Sequence, residues 1–198
     1  VADWPELRGP AEVVAPRLLG AVLRKGPVAV RLTEVEAYAG SADPGSHAYR
    51  GRTPRTEVMF GPAGHLYCYL SYGMHVCANV VVGEEGTASA VLLRAGEVVD
   101  GLAVARDLRP AARVDRDLAR GPGRLCQALG IVLGDDGTDL HAGPVTLELG
   151  APPAAIATSP RTGLRLATER PWRFYEVGEP TVSAYRRHPR AVLPHPDL

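Results

Sequence analysis

Lysine is almost missing from this 198-residue chain: Lys25 is the only one, although arginine is abundant. The scarcity bears on chemistry. A Schiff base needs an amine nucleophile, so only Lys25 or the terminal amine could form one. Cysteine is scarce too. Cys68, Cys77 and Cys126 cannot all pair, and none sits in a C-x-x-C spacing. That argues against a zinc site or a redox dithiol and for small buried apolar side chains in a reducing compartment. There is no run of eighteen apolar residues, so no transmembrane helix is expected. The opening Val1-Ala2-Asp3-Trp4-Pro5-Glu6 has no basic segment leading into an apolar one. A secretory signal is therefore not expected, and a cytoplasmic location is. Net charge is missing as well, with 22 basic against 22 acidic residues. This argues against indiscriminate polyanion binding but permits a local basic face. Basic residues do cluster, at Arg50, Arg52 and Arg55, at Arg161, Arg165, Arg170 and Arg173, and at Arg186, Arg187 and Arg190.

What is present is enough apolar residue, 45%, to bury one substantial core. We expect one domain over residues 1–198. Apolar spacing predicts a helix from Ala11 to Leu23, ended by Gly26-Pro27. Val28 to Tyr38 reads as a strand rich in branched residues. Ala39 to Pro62 is a long polar loop, a length usually tied to function or disorder. His65–Tyr72 and Val76–Val82 read as strands joined by a tight Gly73-Met74 turn. Further strands are expected at Ala88–Arg94, Pro144–Leu149 and Arg161–Ala167, and short helices at Asp100–Leu108 and Gly123–Leu129. The class is α+β, a curved and mainly antiparallel sheet with a protruding β-hairpin and peripheral helices.

Two segments carry candidate chemistry. Glu34 and Glu36 share a strand face by two-residue periodicity, and Glu36 lies where that strand runs into the long loop. A carboxylate so placed can activate water as a general base. Two carboxylates that close leave too little room for water between them to act as an inverting pair. Tyr67 and Tyr69 project to one face of the next strand, Tyr72 lies near its turn, and Tyr38 ends the strand before it. Aromatic faces stack on bases without reading sequence and attract cations. The tip Tyr72-Gly73-Met74-His75 places apolar side chains where Gly, Asn and Asp are preferred. Exposed apolar groups on a protrusion point to a partner, and wedging between base steps is one such use. A noncatalytic nucleic-acid-binding module could use the same rings and arginines. Glu36 discriminates, because binding phosphate gains nothing from an acid in the groove.

Taken together, the chain resembles the alkyladenine (3-methyladenine, methylpurine) DNA glycosylase family. The match runs in order through Glu34-Val35-Glu36-Ala37-Tyr38, His47, Met59-Phe60, Leu66-Tyr67-Cys68-Tyr69, Tyr72-Gly73-Met74 and Cys77-Ala78-Asn79. It continues through Val91-Leu92-Leu93-Arg94, Gly121 to Leu129, Ser159-Pro160-Arg161 and Pro171-Trp172-Arg173-Phe174-Tyr175.

The resemblance implies base-excision repair by a monofunctional enzyme. It would act as a monomer on double-stranded DNA containing damaged purines, in the nucleoid, without metal or organic cofactor. Position by position, it implies that Glu36 deprotonates the attacking water, that Arg94 helps position it, and that the Thr162 carbonyl gives a further contact. Tyr38, His47 and Tyr69 match the walls of a base pocket. Tyr72 matches the residue that fills the gap left by a flipped nucleotide. Asn79 matches the side chain that meets the 2-amino group of guanine. Arg52 and Arg55 lie where the family contacts the DNA backbone, and Met74 and His75 complete the tip. His75 is a departure, since a larger aromatic is expected there.

Overall fold

The structure is a computed structural model that describes residues 4–192. Residues 1–3, read above for a secretory segment and a terminal amine, lie outside it. Helix α1 (Ala11–Val14) passes into a 3-10 turn at Ala15–Leu18. Then come β1 (Val22–Lys25), β2 (Val28–Tyr38), β3 (Leu66–Ser71), β4 (His75–Val81) and β5 (Ala90–Asp100). Helices α2 (Leu102–Leu108) and α3 (Pro122–Leu129) follow, and β6 (Val145–Glu148), β7 (Ile156–Ser159) and β8 (Arg173–Glu176) complete the order.

All eight strands belong to one antiparallel sheet in the order β3-β4-β5-β2-β1-β6, with β8 pairing both β2 and β7. β2 is its centre. One edge of β2 pairs with β5 throughout, while β1 takes the start of the other edge and β8 its end. The α+β expectation with an antiparallel sheet and a hairpin is met.

One face of the sheet, including Val35, Ala37, Leu66, Ala78, Val80, Val91 and Leu93, packs against Leu18, Leu125 and Leu129 in the main core. Each fully buried leucine there contributes about 1.5–3 kcal/mol. A smaller cluster of Ala48, Met59, Tyr67, Val81, Ala88 and Ala90 lies under the long loop.

Several boundaries differ from expectation. The helix predicted to Leu23 ends at Leu18, because Pro16 cannot donate inside a helix and Gly20 takes φ +84°; Val22–Lys25 then joins the sheet. The strand predicted at Arg161–Ala167 is instead a turn-rich loop, broken by Gly163 (φ +73°) and Ala167 (φ +54°). β7 and β8 are four-residue strands without a strong alternation, and neither was expected. The hairpin turn centres one residue earlier than predicted. Met74 N–H donates to the Ser71 carbonyl at 3.1 Å, with Tyr72 at φ 50° and Gly73 at φ 70°. Two positive φ values describe a type I′ turn. Glycine accepts that region at no cost and tyrosine does not.

Candidate active site

The site lies on the sheet face turned away from the main core. Residues paired across antiparallel strands share a face. Tyr67 pairs with Asn79, Tyr69 with Cys77, Asn79 with Leu92, and Leu92 with Glu36. Tyr38, Tyr67, Tyr69, Cys77, Asn79, Leu92 and Arg94 line a cavity of about 290 Å³, closed by Ser46, His47, Met59 and Thr162 from the loops. Tyr72 stands at its rim.

A β-bulge aims Arg94. Glu34 pairs with Ala95 and Val35 with Leu93, which leaves Arg94 as the extra residue on β5. Bulges of this kind re-aim a side chain. Gly96 permits the close approach, since a Cβ there would lie 2.4 Å from the Arg31 carbonyl oxygen.

The two glutamates divide their work. Glu34 is fully buried and saturated by donors: Arg94 Nε at 2.7 Å, Arg173 Nε at 2.7 Å, and the Ser183 N–H at 2.7 Å and hydroxyl at 3.0 Å. Burial pushes its pKa up, but the guanidinium groups of Arg94 and Arg173 bring it below the ordinary carboxylate range. It is a fixed anion rather than a partner in acid–base exchange. Glu36 is equally buried but less committed. Its Oε1 accepts from the Thr162 N–H at 2.6 Å and its Oε2 from the Tyr38 hydroxyl at 2.9 Å, with Arg94 Nη1 at 3.4 Å. A carboxylate has about four acceptor sites, so capacity for a water remains. Burial and the adjacent Glu36 charge push the Tyr38 pKa up, so its hydroxyl keeps the proton it donates. Through its N–H, Thr162 orients the carboxylate.

Elsewhere in the wall, His47 Nδ1 lies 3.2 Å from the Tyr67 hydroxyl, and its ring meets Tyr69 edge-on at 4.5 Å. Desolvation and the charge of Arg55 push its pKa down to about 4. Its ring is exposed at the mouth, where water softens that push. Asn79 is buried and donates to the Tyr67 carbonyl at 3.0 Å, which fixes its amide against the cavity. Arg161 lies over one face of Tyr38 (4.6 Å) and Arg55 over one face of Tyr69 (5.6 Å). Tyr72 and Met74 are 82% and 73% exposed, so the tip does not fold back onto the domain. His75 is exposed beside Gly123 of α3.

The arginine clusters are only partly a basic face. Arg52 is exposed but spends charge on Glu57 at 2.7 Å. Arg161 and Arg173 are buried. Arg161 pairs with Asp43 (2.7 Å) and donates to the Ala37 carbonyl (2.8 Å), tying the long loop to the end of β2. Sequence reasoning gave no role to Arg161, Arg173 or Ser183. The first two stand in the motifs quoted above, whereas nothing in the sequence singles out Ser183.

The model of the methylpurine-DNA glycosylase (MPG) family matches residues 6–180. The chain belongs to the methylpurine-DNA glycosylase family. It is thereby a DNA glycosylase, an enzyme class of DNA repair. Relatives that carry the provisional name 3-methyladenine DNA glycosylase occur in several bacteria. The Nocardia farcinica protein is 63% identical over 200 residues, covering 96% of this chain and 94% of its own. Those of Leifsonia xyli and Streptomyces avermitilis are 57% and 54% identical, covering 89% and 88% of this chain and 88% and 87% of their own. Among the described residues no helix is long and apolar enough to cross a membrane.

Proposed function

We propose that this protein hydrolyses the N-glycosidic bond of alkylated or deaminated purines, of the 3-methyladenine and hypoxanthine class, in double-stranded DNA. It would act as a monomer without a cofactor and leave an intact abasic strand. The observation that carries the reading is Glu36. Its carboxylate is held by Thr162, Tyr38 and Arg94, and all three of those residues line the cavity. In this reading the target nucleotide leaves the duplex, at the cost of unstacking, and Tyr72 takes its place. The base enters between Tyr38 and Tyr69. Glu36 accepts a proton from water as the oxygen attacks C1′, and the bonding pair leaves with the base. A cationic 3-methylpurine departs neutral without help. A neutral base such as hypoxanthine needs a proton or hydrogen bond from the pocket, and neutral His47 at the wall is placed to supply a hydrogen bond. Asn79, fixed by the Tyr67 carbonyl, would meet the 2-amino group of guanine. Arg52, Arg55, Met74 and His75 would contact the DNA around the extruded nucleotide.

The test is incubation with duplexes that each carry one defined lesion, with free base and abasic sites measured together. Release of a methylated purine with one abasic site per base is expected. Binding without release of any base would favour a noncatalytic module.

A further inference from the structure

The segment beyond the family match returns to the site as a strap. The Thr181 hydroxyl lies 2.9 Å from that of Thr33 in β2, and Ser183 holds Glu34 as described. Arg120 donates to the Val182 carbonyl at 2.9 Å. The Gly163 N–H donates to the Arg186 carbonyl at 2.9 Å, and the Val192 N–H to the Arg165 carbonyl at 2.8 Å. These bonds fix where Arg186 stands. It lines a second cavity, of about 340 Å³, with Arg94, Arg120, Arg124, Thr162 and Ser183. Among the described residues no carboxylate lines this cavity.

The four arginines are not equal. Arg94 is compensated by Glu34 and Glu36. Arg120 lies 3.4 Å from Asp117. Arg124 and Arg186 are exposed, and among the described residues neither has an ion-pair partner. The cavity therefore offers about two uncommitted guanidinium groups. Gly121, the N-cap of the eight-residue α3, also lines it, so the positive end of that helix adds to the field. The Thr162 hydroxyl is buried and has no partner among the described residues. Arg94 and Thr162 line both cavities, so an occupant of the second would sit one side chain away from the base pocket.

We propose that this cavity is a subsite for one backbone phosphate of the DNA strand, the phosphate adjoining the nucleotide whose base occupies the first cavity. The proposal rests on the glycosylase reading above and adds the residues that receive the backbone. Guanidinium forks match phosphate oxygens in geometry and charge. A phosphodiester beside the Glu36 carboxylate would be repelled unless its charge were met, and Arg124 and Arg186 meet it.

The experiment uses the full chain and lesion duplexes in which each phosphate flanking the lesion is replaced, one at a time, by a neutral methylphosphonate. Affinity is measured for the wild type, Arg124→Gln and Arg186→Gln at fixed salt. One position should weaken wild-type binding about tenfold, the loss expected for a charge-assisted hydrogen bond. At that position the variants should lose nothing further. On unmodified duplex the variants should bind about tenfold more weakly, with a salt slope shallower by about one counterion. Losses that simply add at every position would overturn the proposal. So would competition by inorganic phosphate with no positional coupling, which would mark a free-anion site instead. Base release by the wild type is followed in parallel. Absence of release strikes the glycosylase reading, whereas release without coupling strikes only the subsite.

Discussion

Replacing Glu36 by Gln separates chemistry from architecture, and the structure says how cleanly. The amide oxygen can still accept from the Thr162 N–H, which now lies 2.6 Å from Oε1. The amide nitrogen can donate to the Tyr38 oxygen, because a phenol both donates and accepts. The one contact that sours is Arg94 Nη1, which at 3.4 Å would face an NH₂ group. Arg94 keeps Glu34 at 2.7 Å, so no buried guanidinium is orphaned. The stability cost should be on the order of 1 kcal/mol. Loss of a general base, in contrast, lowers the rate about 10²–10⁴-fold, which at about 1.4 kcal/mol per decade is roughly 3–5 kcal/mol of barrier. The variant also gains one unit of positive charge under a polyanion, so lesion-DNA affinity should hold or rise. Single-turnover excision at saturating protein, binding to the same duplex and thermal melting together decide the matter. Near-normal excision would refute the assignment. Parallel loss of binding and melting temperature would assign Glu36 to the fold.

Tyr72→Ala should weaken binding to a lesion duplex more than to an unpaired lesion, where unstacking is already cheap; equal losses would remove the wedge role. Asn79→Ser should raise release of 7-methylguanine relative to hypoxanthine, and an unchanged ratio of released bases would refute the steric role. No lyase activity is expected, because Lys25 lies opposite Val28, about 26 Å along β2 from Glu36 at ~3.3 Å per residue. It is also bonded to Asp135 and the Gly130 carbonyl; a borohydride-trapped adduct lost in Lys25→Ala would overturn this. Stability should fall on acidification in two stages. His47 is held below its ordinary pKa by desolvation and the charge of Arg55, an effect that its exposure to water softens, so protons bind the unfolded chain first as pH drops from about 6.5. Asp43 and Glu34 are buried, yet held low by Arg161 and by Arg94 with Arg173, and their contribution is lost only below about pH 4. Urea denaturation across pH should show both stages, and His47→Gln should flatten the upper one.

What was legible in the sequence followed strong local signals. β2, the hairpin and α3 announce themselves through branched runs, alternation and the Pro122-to-Gly130 frame. The expected wall residues Tyr38, His47, Tyr69 and Asn79, with Arg94 and Thr162, do meet around one cavity. Less legible were features made by distant partners. Lys25 stands in the sequence between the expected helix and Gly26-Pro27; it is half-buried in β1 because Asp135 and Gly130, more than a hundred residues later, come to meet it. Arg161 and Arg173 read as surface charge because nothing in their own segments shows that Asp43 and Glu34 wait for them. Ser183 acts through its backbone N–H as much as its hydroxyl, and a backbone donor leaves no mark in composition.

These long-range pairs resolve a conflict built into the chemistry. A general base must stay ionised, yet DNA brings negative charge toward it, and burial alone penalises a carboxylate. Glu34, Glu36, Arg94 and Arg173 answer this as a unit: two anions and two cations, all buried, bonded through one bulge and two strand edges. The group is neutral as a whole, so an approaching strand meets little repulsion from it at a distance, and only a phosphate lying beside Glu36 needs the charge of Arg124 and Arg186 as well. Arg94 is shared, and its stronger bond goes to Glu34 (2.7 Å against 3.4 Å). That leaves Glu36 with the weaker cationic contact and hence the more available lone pair. In the proposed reading, Glu34 serves by occupying Arg94, which otherwise would clamp Glu36. Breaking a buried pair typically costs about 3–5 kcal/mol, a cost that falls on loss of Glu34, which both arginines bind at 2.7 Å, and not on Glu36→Gln, which leaves those bonds in place. In that reading, the strap that brings Ser183 to Glu34 is part of what keeps Arg94 from clamping Glu36.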